Sequence, residues 1–69
     1  MSVEKSIDLT ATGPSIEEAV SEAIDRAGLT LQGLTSFEVE RIEGLVEGGE
    51  VIYKVLVRVT FVIKEQLHE

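Results

Sequence analysis

The chain has 69 residues, a length at which folding hides only about 60% of the surface that the unfolded chain exposes, so a private core is thin. It holds no cysteine and one histidine, His68, which excludes a disulfide framework, thiolate metal sites and a histidine-rich zinc centre; association with further copies is the remaining remedy for so small a core. Thirteen acidic residues against six basic ones leave a net charge of −7, and that field repels phosphate backbones, so nucleic acid is not an expected partner.

Val3, Ile7 and Leu9 alternate with Glu4, Ser6, Asp8 and Thr10, the period of two that predicts a half-buried first strand. The start Met1-Ser2-Val3-Glu4-Lys5 lacks the basic-then-apolar pattern of a signal peptide, and no stretch reaches the roughly 18 apolar residues of a membrane span. A cytoplasmic location away from membranes is the resulting expectation. Ala11 to Pro14 breaks the strand, and Ser15 followed by Glu18 is a capping box, in which each side chain satisfies an orphan backbone donor.

A helix follows, with Ile16, Ala19, Val20, Ala23, Ile24, Ala27 and Leu31 on one stripe. Gly28 weakens its last turns, and its end is expected near Gly33, where glycine suits the left-handed cap. Between Thr35 and Glu47 the apolar phase changes: Phe37 and Val39 are odd, Ile42 and Val46 even. A bulge or bend near Arg41 to Gly44 accounts for the change. Gly48-Gly49 predicts a tight hairpin, because primed turns need positive φ.

The last strand, Val51 to Lys64, has apolar residues at every odd position from Val51 to Ile63, a face that packs on the helix, with Tyr53 and Phe61 in the core. Its even face also carries Ile52, Leu56 and Val62, among Lys54, Arg58 and Thr60. One helix covers one face of a sheet, so these residues form a second apolar surface and predict an interface. The fold class is α+β: one βαββ domain over residues 1–69, a three-stranded antiparallel sheet with its last strand central, packed on one helix.

The segments Leu9-Thr10-Ala11-Thr12, Ser15 to Ala19, Ala23 to Ala27, Phe37-Glu38-Val39, Val51-Ile52-Tyr53 and Val55 to Phe61, in this order and spacing, resemble the dodecins. Those are small flavin-binding proteins whose subunits form hollow dodecamers, and the likeness covers nearly the whole chain. The resemblance implies a homododecamer that binds and stores a small molecule, with flavin (riboflavin or FMN) as the family ligand. The family's flavin contacts fall on Ser36, Glu43 and Lys54. Ser36 replaces a tryptophan that stacks on the flavin ring, Lys54 replaces a glutamine that hydrogen-bonds its pyrimidine end, and Glu43 replaces an arginine that pairs with the nucleotide phosphate in some members.

Catalysis lacks the usual members, with no cysteine, one terminal histidine and no nucleophile paired to a base, so the chain is not expected to be an enzyme. Glu17, Glu18, Glu47 and Glu50 read as capping and turn-flanking carboxylates. Hard cations such as calcium take several oxygen ligands, and Glu38, Glu40 and Glu43, multiplied by symmetry, are the candidates. The bland alternative has them on a solvated rim balanced by Lys54 and Arg58. Three readings stand: a flavin store, a dodecin that binds a cation such as calcium, and a structural shell without ligand.

Overall fold

The computed structural model describes residues 2–64; His68 lies outside them. The elements are β1 (Ser2–Gly13), α1 (Ile16–Thr30), β2 (Leu34–Glu47) and β3 (Glu50–Lys64). As the strand pattern predicts, β3 lies between β1 and β2 and runs antiparallel to both. The helix is the crossover between the two outer strands.

The Ser15 hydroxyl accepts the Glu18 amide at 3.1 Å and caps α1. The reciprocal half of the expected box differs: the Glu18 carboxylate accepts from the Ser15 hydroxyl at 3.1 Å instead of its backbone amide. The helix stops at Thr30, with Leu31 already extended and its N–H bonded to the Ala27 carbonyl at 2.9 Å. Gly33 therefore does not cap it. With φ at 78°, Gly33 opens β2, and its carbonyl accepts the Val62 amide at 3.0 Å; a Cβ there would meet the Val62 carbonyl oxygen at 2.8 Å. The hairpin turn is as expected, with Gly48 and Gly49 both at positive φ.

The phase change in β2 is a bulge, one residue earlier than the sequence suggests. Val39 pairs with Val57 and Arg41 with Leu56, so Glu40 is the extra residue. A second irregularity lies between Leu34 and Ser36. The register consequently puts Phe37, Val39, Ile42 and Val46 on the side of β3's odd residues, which is the helix side.

Ala19, Ala23 and Ala27 form the helix's buried seam and meet Val55, Val57 and Val59, the fully buried centre of β3. Three methyl side chains in successive turns let the helix settle close to the sheet. Phe61, the next odd residue of β3, is also buried. Tyr53 is only half-buried, because it lies on a rung between Gly13 and Gly44, at the edge of the zone the helix covers.

That zone is short for a geometric reason. The helix and β3 each have fifteen residues, but a helix rises 1.5 Å per residue and a strand about 3.3 Å. The helix thus spans roughly 22 Å of a ribbon roughly 50 Å long. It rests on β1 and β3 and barely meets β2. On its own side of the sheet Phe37, Val39, Ile42, Val46 and Val51 are left between 39% and 76% exposed.

This corrects the location of the leftover apolar surface. Ile52, Leu56 and Val62, the expected patch on the other face, are half-buried already; Leu56 has neighbours on both flanking strands, Ile52 has Leu45 on β2 and Val62 has Glu4 on β1. The larger apolar exposure is on the helix side, along the arm formed by β2 and the start of β3. The radius of gyration is 15.1 Å, against about 11 Å for a compact chain of this length. The accessible surface is 5247 Å², about 1,000 Å² above the roughly 4,200 Å² of a free-standing monomer of this mass.

Gly28 gives a direct test of the helix account. It lies within α1, and an added Cβ meets nothing within 4 Å. Gly28→Ala is expected to stabilise the protein by about 0.8–1 kcal/mol, seen as a higher urea midpoint at unchanged slope. A midpoint that stays put or falls would contradict it.

Candidate functional site

The face of the sheet turned away from the helix carries every position that the family likeness singles out. Its residues come from the even positions of β1 and β3, together with Ser36, Glu38, Arg41, Glu43 and Leu45 of β2. The bulge at Glu40 creates this set: without the extra residue, Arg41 and Glu43 would turn to the helix side and Ile42 to the outer one.

At the middle of this face stands Arg58. Its Nε donates to Asp8 Oδ1 at 2.9 Å, Nη2 to Oδ2 at 3.5 Å, and Nη1 lies 3.8 Å from Glu40 Oε1. Glu38 is its register partner on β2. The hydrogen bond that Arg58 donates to Asp8, then the charges of Asp8 and Glu40, raise the Arg58 pKa. A raised folded-state pKa stabilises the fold below the ordinary arginine value and loses that effect only in strong alkali, so Arg58 is a fixed cation at physiological pH. Further along β1, the Ser6 and Thr60 hydroxyls share a hydrogen bond of 3.1 Å.

Toward the hairpin end lies a depression of about 180 Å³ lined by Thr10, Arg41, Glu43, Lys54, Val55 and Leu56. Thr10, Leu56 and Arg41 form one rung across the three strands, and Lys54 and Glu43 belong to the adjacent outer-facing rung. Arg41 Nη2 donates to Glu43 Oε2 at 3.0 Å. Lys54 makes no ion pair among the described residues. A second depression, of about 190 Å³, lies at the other end of β2 on the helix side, lined by Ile24, Leu34, Thr35, Ser36, Phe37 and Val59.

The structure therefore brings Glu43 and Lys54 together and leaves Ser36 apart. Ser36 pairs with Thr60 and Glu43 with Lys54, six residues apart on β3 and so roughly 20 Å distant. A molecule that touches all three positions within one copy would have to span that distance. Glu38 and Glu40 flank Arg58, and Glu43 is held by Arg41. No group of three His, Cys, Asp or Glu side chains suited to a metal is gathered among the described residues of one subunit. Thr10, Arg41 and Asp8 escape the sequence reading. Their even and odd positions place them on one face only once the register of β1 and the bulge in β2 are known.

The class of protein that these observations define is a βαββ domain with one short helix on a long three-stranded antiparallel ribbon. The chain belongs to the dodecin family: the family model named Dodecin matches residues 3–64. Solved dodecins share the fold. The chain is 34% identical to a point mutant of dodecin from Thermus thermophilus, with 96% of this chain and all of that one covered at a TM-score of 0.87. It is 30% identical to dodecin from Streptomyces coelicolor, with 94% and 96% covered at a TM-score of 0.85. A calcium dodecin from Mycobacterium tuberculosis, described as a calcium-chelating immunodominant antigen with a novel calcium-binding site, is 28% identical, with 97% and 99% covered at a TM-score of 0.80. No curated protein matches. Among the described residues no helix is long and apolar enough to cross a membrane.

Proposed function

We propose that residues 1–69 form one dodecin-like domain, the subunit of a cytoplasmic homododecamer that binds and stores a small molecule and catalyses no reaction. The observation that carries this reading is the arm. Its exposed Phe37, Val39, Ile42, Val46 and Val51 and an excess accessible surface of about 1,000 Å² match the roughly 800 Å² that each partner buries in a standard interface. Family membership supports an assembly of this kind. The native mass is expected near twelve times 7.5 kDa, and Ile42→Glu, which places a charge in the arm, is expected to release smaller species. A well-folded single copy of the wild-type protein in light scattering at micromolar concentration would overturn the assembly.

Flavin, as riboflavin or FMN, is the first ligand reading, through Ser36, Glu43 and Lys54 in the contact between copies. With serine in place of an aromatic platform, flavin is held weakly. Stacking on an aromatic ring contributes about 1–3 kcal/mol, so Ser36→Trp is expected to tighten riboflavin binding by roughly tenfold or more, read from flavin fluorescence quenching. Equal quenching curves for the two proteins would remove Ser36 from the site.

A divalent cation such as calcium, held by Glu38, Glu40 and Glu43, is the second reading, favoured by the likeness to the calcium dodecin of M. tuberculosis. Opposing it, Arg58 and Arg41 already accompany these carboxylates. Calorimetry with calcium beside magnesium decides: calcium-specific heat lost in Glu40→Gln supports the cation, and its absence leaves flavin or an unliganded shell.

A further inference from the structure

We propose that the depression between Thr10, Arg41, Lys54 and Leu56 is an oxyanion site, which takes the phosphate or carboxylate group of a small molecule whose apolar part lies on Leu56. It deepens the ligand-binding reading above, and rests on it for the site's being used, but its chemistry stands on the charges of one subunit.

The chain carries a net charge of −7, yet two of its six cations line one small depression. Three of the others are disposed differently. Arg26 is tied to Glu22 and Arg58 to Asp8 and Glu40, while Lys5 stands opposite Phe61 with no cation on its rung. Lys54 has Glu43 as its register partner, but the Glu43 carboxylate has turned to Arg41 instead. The ammonium is left as an exposed donor without a counter-charge among the described residues.

Glu43 changes meaning in this setting. As an isolated carboxylate it would repel a phosphate. Paired at 3.0 Å, it neutralises one positive charge, holds the guanidinium in place and occupies one of its five N–H donors. Arg41, Lys54 and Glu43 together leave one net positive charge, with the Thr10 hydroxyl as a further donor across the rung. Leu56 lies between Thr10 and Arg41 as a half-buried apolar floor. Charged walls at one end and an aliphatic floor suit an amphipathic anion better than a bare cation, which would meet Arg41 and Lys54 first.

The test uses the assembled protein, titrated by calorimetry with inorganic phosphate and separately with acetate, and by fluorescence with FMN beside riboflavin. At least one of the two simple anions is expected to bind, and which one does assigns the phosphate or the carboxylate class. Lys54→Gln is expected to weaken that binding about tenfold, the scale of one lost charge-assisted hydrogen bond. Glu43→Gln is expected to tighten it, a gain that misfolding cannot produce. FMN is expected to bind more tightly than riboflavin, with the difference shrinking in Lys54→Gln. Native mass is recorded for each protein. A full-size particle that binds neither anion at millimolar concentration, or a Lys54→Gln particle that binds like the wild type, overturns the oxyanion site alone. A wild-type protein that is a single copy overturns the shell.

Discussion

A helix and a strand of equal residue count differ more than twofold in length, and most of this subunit follows from that mismatch. Fifteen helical residues cannot shield fifteen extended ones. The covered part is packed with what fits under a closely seated helix: three alanines against three valines, with aliphatic residues around them. The uncovered part is as apolar as a core but lacks its partner. A longer helix would close the gap within one chain; this chain instead leaves an apolar ribbon exposed, the surface on which the proposed assembly rests.

The extra residue at Glu40 sorts that ribbon. Strand side chains alternate strictly, so one inserted residue exchanges the two faces for everything beyond it. Downstream of the bulge, Ile42 and Val46 continue the apolar line begun by Phe37 and Val39, and Arg41 and Glu43 continue the polar line of Ser36 and Glu38. The arm that invites association and the charged depression on the opposite face are therefore products of a single irregularity. Regular pairing would mix the two and spoil both.

Much of this was legible in the sequence, because it depends on local periodicity. The alternation in β1 and β3, the Ser15 cap, the glycine turn and the phase change in β2 are each written in adjacent residues. The cap's second half and the helix end were not, since both turn on a choice between near-equal partners: the Glu18 carboxylate prefers a hydroxyl to an amide, and Gly33 joins the sheet through Val62. The location of the unpaired apolar surface was misplaced for a different reason. Periodicity says which residues share a face but not how far along that face a helix reaches. Ser36, Glu43 and Lys54 likewise share a face, while their separation emerges only from the register.

The remaining question is what would favour a closed particle over a fibre when an apolar ribbon with two open edges associates. Both β1 and β2 are edge strands, and a long flat edge recruits further strands without limit. β2 blunts its edge with two irregularities and with Glu38, Glu40, Glu43 and Glu47 along its length. Strand addition there would set carboxylates against one another and break register at each bulge. The apolar arm faces sideways to that edge, along the direction of side chains instead of backbone hydrogen bonds. Association through side-chain faces under a net charge of −7 per copy favours few, specific contacts related by rotation, and rotation that closes yields a finite shell.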